Sequence, residues 1–479
     1  MTFSPTLRRS AAALAVLLVC ALYLTDLTGM GMVQPDEPRY ADIGRAMARS
    51  GDWITPRLWG HAWFEKPALL YWMTAAGFRL GLGPDLAPRL PLALLSVAFL
   101  CFFWVRLDLE WGRKAASCAT AMLATSAGWL AYSHVAVTDV PMAAFFSAAV
   151  LLSLGWVGRN DRAQLPAAAA CLGVATLAKG LVPLVLFLPV VAVPLFGGHW
   201  KRLRDWLRPA PLLAFSVFAL PWYIMVTLRN GKDFLRVFFL EQQLGRFTST
   251  ALQHVQPLWF YIPALLVLLY PWFPLLAFPS IAFPKDLRRD ARVRVLAAVV
   301  GFGFVFFSVS VNKLYGYLMP LLPAVFALLG LGLSRAKRTG FVLIPCLMLL
   351  GLLPAIALFA PAVMAGHGRV FSMPAERTVA CLLAAGLAGL ALARFAPARA
   401  FPATALIAGL GFVWFQFATF PSFDKLASAR PLWLARHPRC APPLPRGVLF
   451  GLYYYSNGQI PPCPLLDPLL DPEPTRGVR

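Results

Sequence analysis

Five of the chain's 21 acidic residues, Asp36, Glu37, Asp42, Asp52 and Glu65, fall in one stretch from Gln34 to Trp72, between two long apolar segments. Arg39, Arg45, Arg57 and Lys66 are interleaved with them, as are the rings of Tyr40, Trp53, Trp59, Trp63, Phe64, Tyr71 and Trp72. A loop that only joins two membrane helices needs none of these residues. Acids, bases and amphipathic rings just outside a bilayer suit chemistry at the lipid–water boundary. Asp36-Glu37 directly follows the first apolar segment. It reads either as a solvated loop end, or as a metal-binding acid or general base, the last able to take the proton of an acceptor hydroxyl.

Asp139 stands at a predicted helix start before Pro141, where an N-cap role and a chemical one are compatible. Cations recur at the same kind of boundary: Lys66 in Phe64-Glu65-Lys66-Pro67, Lys179 in Lys179-Gly180, Arg246 in EQQLGRF, and Lys313 beside Tyr315 and Tyr317. Each alone reads as a snorkelling side chain. Four of them on one side, beside acids, read as a receptor for a phosphate at headgroup depth.

The elements that must hold these residues are membrane helices. The 479-residue chain is 59% hydrophobic and only 13% charged, about half the charge of a soluble domain. Apolar runs near 20 residues recur throughout, which predicts an all-α polytopic membrane protein. A net charge of +22 raises nucleic acid as a partner, but the basic residues lie in short clusters between apolar runs, so no nucleic acid is expected.

The run after Arg8-Arg9 is too long for a signal-peptide core and reads as an uncleaved first helix. An interfacial helix is expected over Pro67–Leu82. Transmembrane helices follow near Arg89–Leu107, Lys114–His134 and Asp139–Val157, then two within Ala167–Phe196 divided at Lys179-Gly180. Pro211–Leu228, Pro257–Phe283 and a ninth ending near Val311 come next. Helices ten and eleven flank Arg335–Arg338, and the last two cover Thr378–Leu392 and Ala403–Phe420. Residues 229–256 read as a polar loop. The total is thirteen helices, with 1–420 as the membrane domain, 33–88 as its first outer loop and 421–479 as a short outer tail.

Under this topology the clusters at Arg8-Arg9, Arg113-Lys114, Arg159/Arg162, Lys201–Arg208, Lys285–Arg294, Arg335–Arg338 and Arg394/Arg399 are all cytoplasmic. Asp36, Glu37, Glu65, Asp139 and Glu241 fall on the other side. In the tail, Cys440 and Cys463 are the only cysteines outside apolar segments. They are expected either to bridge over a small hairpin in PRGVLFGLYYYSNGQI or to remain free thiols.

The run PDEPRYADIGRAMARSGDWITPRLWGHAWFEKPALLYW resembles the first outer loop of bacterial type C glycosyltransferases, and within these the lipid A aminoarabinose transferases, distant kin of the protein O-mannosyltransferases. TDVPMAAF, ATLAKGLVP, EQQLGRF and NKLYGYLMPLLP continue the resemblance in the same order, over about Thr25 to Pro323. The resemblance implies a bacterial inner-membrane enzyme, expected to be monomeric, that moves a sugar from a polyprenyl-phosphate donor to a lipid, glycan or protein acceptor on the periplasmic face. Asp36 then matches an essential acid and Asp139 a second one. Lys66 and Arg246 match residues that hold the carrier phosphate, and Tyr317 a tyrosine near it. Glu65 matches an acid able to ligate a divalent metal. The family's partner histidine is absent downstream, where the chain reads GLGPDLAP, and His61 is a possible substitute. Gln242 stands where the family has Asn or His. The alternative class is a flippase or transporter of lipid-linked sugars, which predicts inverted repeats and mid-membrane charges; no such repeat is visible.

Overall fold

The computed structural model describes residues 5–196, 200–244, 255–278, 281, 289–336, 339–364 and 373–463. Lipid offers no hydrogen bonds, so each apolar run satisfies its backbone internally as helix. The first is α1 (Pro5–Leu24). Two short helices, α2 (Asp36–Ser50) and α3 (Leu69–Arg79), follow with a two-stranded hairpin between them, β1 (Arg57–Leu58) and β2 (His61–Ala62). Then come α4 (Leu86–Trp111), α5 (Arg113–Ala124), α6 (Ala127–Ser133), α7 (Asp139–Arg159), α8 (Leu165–Lys179) and α9 (Val182–Phe196). The expected break at Lys179-Gly180 is present, and Gly180 turns the chain there at φ +68°. A side chain at that φ is strained, so glycine suits the site.

Several expected elements are corrected. The third segment is divided: the Thr125 and Ser126 hydroxyls bond back to Ala121 O and Leu123 O, and Ser126 is extended. Such local bonds compete with the helical ladder. The supposed loop after Leu228 is largely helical, because the helix from Pro209 continues to Leu235 through a kink at Gly231 and joins a wider π-helical turn, Arg236–Leu244. The eighth segment stops at Leu269, where Pro271 cannot continue the hydrogen-bond ladder.

Among the described residues, seven helices are long and apolar enough to cross a membrane, and the pair Thr339–Leu350 and Leu353–Val363, bent by 46°, makes eight. The remaining expected spans are the shorter apolar helices Leu165–Lys179, Val182–Pro194 and Leu258–Leu269, the divided α5/α6, and α1, of which Ala13–Leu24 is the apolar part counted among the described residues. The protein is a multi-pass membrane protein. Its two ends differ in charge. α4 and α7 each carry Arg89 or Asp139 at one end and Glu110 or Arg159 at the other. At the far end Glu110 is paired with Arg106, Arg159 and Arg292, and Asp205 with Arg162 and Arg208.

The tail is not a hairpin. Residues Arg446–Tyr455 form a helix, and Leu452, Tyr454 and Tyr455 bury against Met32 and Ala41 of the first loop. This tertiary contact overrides the strand preference of its aromatic run. Cys440 and Cys463 are bridged, with Cα atoms 4.8 Å apart. The helix Ala400–Ala427 runs past the expected boundary at 420.

Candidate active site at the mouth of the bundle

Successive residues on a helix point about 100° apart, so Asp36 and Glu37 cannot serve one site together. Glu37 turns inward and is fully buried. Its Oε1 accepts from Arg89 Nε (2.8 Å) and Ala136 N (3.0 Å), and its Oε2 from Arg89 Nη2 and Val33 N, both at 2.9 Å. The rest of the Arg89 guanidinium donates to the carbonyls of Leu27, Met30 and Gly31. Glu37 is therefore a tie between α2, α4 and the turn before α7, and the catalytic expectation for it is withdrawn on this geometry.

Asp36 turns outward, its side chain 36% exposed. It pairs with Arg39, one turn on, and Arg39 reaches across to Glu65 Oε2 at 3.1 Å. Glu65 Oε1 accepts from Lys66 Nζ at 3.0 Å and from Tyr40 Oη at 3.2 Å. Burial, reinforced by Asp36 and Glu65, pushes the Tyr40 phenol well above its usual pKa, so it stays a donor. Burial opposes the charge on Arg39, but Glu65 and Asp36 outweigh it and hold the guanidinium protonated. Arg39 was not singled out from sequence, although its i+3 spacing from Asp36 was a usable signal.

A second group meets the first at a cleft lined by Glu65, Lys66, Lys179, Gln242, Asn312 and Tyr317 among others. Lys179, at the α8 C-terminus, pairs with Asp139 Oδ1 at 2.6 Å and lies 4.7 Å from the Tyr317 ring centroid. Asp139 heads α7 and lies against Gly316, where any β-carbon would strike its carboxylate. Lys66, Lys179 and Tyr317 thus line the same cleft. Lys313 does not: its Nζ is bound by the carbonyls of Gln256 and Ser310 at 2.9 and 2.5 Å. Arg246 lies outside the described residues. Ser310 and Asn312, which also face the cleft, carried no signal beyond their nearness to Lys313.

The metal expectation does not fit. Glu65 already meets two cations, Arg39 and Lys66, which compete with a metal ion for its oxygens. His61 sits exposed on β2. Among the described residues no three His, Cys, Asp or Glu side chains are grouped to hold a metal.

The chain matches the dolichyl-phosphate-mannose-protein mannosyltransferase family over residues 10–230. It is 32% identical over 344 residues to the undecaprenyl phosphate-alpha-4-amino-4-deoxy-L-arabinose arabinosyl transferase of Pseudomonas aeruginosa (strain LESB58), covering 70% of this chain and 61% of that protein. The transferase of the same name from Photorhabdus laumondii is 28% identical over 398 residues, with 79% and 70% covered. The chain thus spans about three fifths of the length of the first of these relatives. The crystal structure of ArnT from Cupriavidus metallidurans bound to undecaprenyl phosphate superposes with a TM-score of 0.76 at 24% identity, over 97% of this chain and 87% of that one.

Proposed function

Because the chain belongs to the type C glycosyltransferase superfamily, we propose that it transfers a sugar from a polyprenyl-phosphate carrier to an acceptor, with inversion at the anomeric carbon. The observation that carries this reading is the shared cleft, lined by Lys66, Lys179 and Tyr317 together with Glu65. The names of the relatives make undecaprenyl phosphate the first carrier to test and a pentose the first sugar.

In the reaction, the acceptor oxygen attacks the anomeric carbon, and the carbon–oxygen bond to the carrier phosphate breaks with both electrons leaving on the phosphate. Lys66 and Lys179 neutralise the added charge, and the family resemblance assigns Arg246 to the same task. Fixed cations in a low-dielectric site stabilise such charge far better than water does. Asp36, exposed at the head of α2, takes the acceptor's proton; with a phosphate acceptor it would orient the sugar instead. Asp139 sets the position of Lys179 through their ion pair. The acceptor is a lipid, a glycan or a protein.

We also infer a plasma-membrane location with this face periplasmic, the N-terminus cytoplasmic and the C-terminus outside. The arginine-rich far end supports that orientation. The functional test is incubation of the purified protein with a panel of undecaprenyl-phosphate sugars, following free carrier phosphate. Carrier release that depends on an acceptor supports transfer. Movement of intact donor across vesicles with no bond broken would make the protein a flippase.

A further inference from the structure

We propose that the tail helix Arg446–Tyr455 is a positioning element of the active site: Phe450 closes an aromatic cage around Arg39, and through Arg39 it fixes Asp36 and Glu65. The inference rests on the functional reading above and assigns work to a segment that the reading leaves idle.

The Arg39 guanidinium is only 7% exposed. Its nitrogens donate to Pro35 O, Asp36 and Glu65. Three rings lie around it: the carbon at its centre is 5.9 Å from the Tyr40 centroid, 5.7 Å from Trp63 and 5.4 Å from Phe450. Tyr40 and Trp63 come from the first loop, but Phe450 comes from more than 400 residues away. A guanidinium surrounded by rings and bonded to carboxylates has little freedom to rotate. The two acids it bridges therefore keep a fixed separation, as a preorganised site requires.

The tail is built to hold Phe450 there. One turn on, Tyr454 Oη donates to Pro84 O at 2.7 Å and Tyr455 Oη to Asp85 Oδ1 at 2.6 Å. The Tyr455 oxygen also accepts from Met32 N at 2.8 Å. Arg45 lies 4.3 Å from the Tyr454 centroid. Tyr453 and Phe450 both contact the Trp59 ring, at 5.3 and 5.5 Å. Gly447 lets the helix approach the turn just before Asp36, since a β-carbon there would lie 3.3 Å from Gln34 C. Together these contacts seat the tail helix against α2, the turn that leads into it and the turn before α4.

The test compares Phe450→Ala, Phe450→Leu and Phe450→Trp in the full chain. Turnover is measured alongside binding of undecaprenyl phosphate and labelling of Arg39 by an arginine-selective dicarbonyl, read by mass spectrometry. Loss of one desolvated cation–π contact predicts turnover lower by on the order of ten- to thirtyfold for Ala and Leu. Carrier binding should be unchanged, Arg39 newly labelled, and Trp near wild type on every measure. Recovery by Leu would reduce Phe450 to packing and overturn the proposal, as would an Arg39 that stays protected in Phe450→Ala. The labelling does not depend on turnover. An inactive wild type would sink the functional reading while the Arg39 result still decided this one.

Discussion

Replacing Glu37 by glutamine should destabilise the protein by about 3–5 kcal/mol, the usual cost of breaking a buried ion pair. The magnitude follows from the contacts. The carboxylate accepts four hydrogen bonds, two of them from Arg89, with both side chains fully buried. A glutamine oxygen can keep two of these. Its amide nitrogen then faces donors, and two bonds are lost, one of them charge-assisted at about 1.5–3 kcal/mol. The guanidinium is left buried without a counter-charge. The assay is denaturant unfolding in mixed micelles, followed by tryptophan fluorescence and compared with Glu37→Leu/Arg89→Met. The apolar pair should recover most of the loss, since such replacements are often near neutral. If Glu37→Gln stayed within about 0.5 kcal/mol of wild type, as surface changes do, Glu37 would not be a structural tie.

Lys66→Ala and Lys179→Ala should each weaken undecaprenyl phosphate binding by about 1.5–3 kcal/mol, the range for charged hydrogen bonds; unchanged affinity in both, by titration, would move the phosphate site elsewhere. Gly316→Ala should slow turnover and displace Asp139, because the added carbon meets its carboxylate and the Tyr132 ring; a crystal or cryo-EM structure with the Lys179–Asp139 pair intact would contradict this. Cys440→Ser should lower the stability of the tail by on the order of 3 kcal/mol, the cost of opening a loop of 23 residues. Proteolysis between 437 and 463 reports it, and an unchanged cleavage rate would count against the bridge.

Much of the site was legible because its residues are unusual for their setting. Acids in a lipid-facing chain stand out, and Asp36, Glu65, Lys66, Asp139, Lys179 and Tyr317 were each visible from sequence. What they hold was not. The Asp36-Glu37 pair looked like one functional unit, but helix geometry separates the two, and the partner of Glu37 is 52 residues away. Lys313 looked like another phosphate ligand, yet nearby carbonyls occupy it. Only seven or eight of the expected spans stand out by length among the described residues, because the bundle also uses broken and short helices whose missing hydrogen bonds are met by neighbours, as Ala127 N is by Tyr270 O. The tail failed for a different reason: its aromatic run has strand propensity, and only the distant surface of α2 makes it a helix.

The central claim is that the cleft breaks the bond between sugar and carrier, with Asp36 as the base. The direct measurement is release of undecaprenyl phosphate by wild type and by Asp36→Asn, with carrier binding titrated in both. The account predicts acceptor-dependent release by wild type, turnover lower by on the order of 10²–10⁴ in Asp36→Asn, as expected for loss of a general base, and equal carrier affinity in the two proteins. Near-normal release by Asp36→Asn would contradict it.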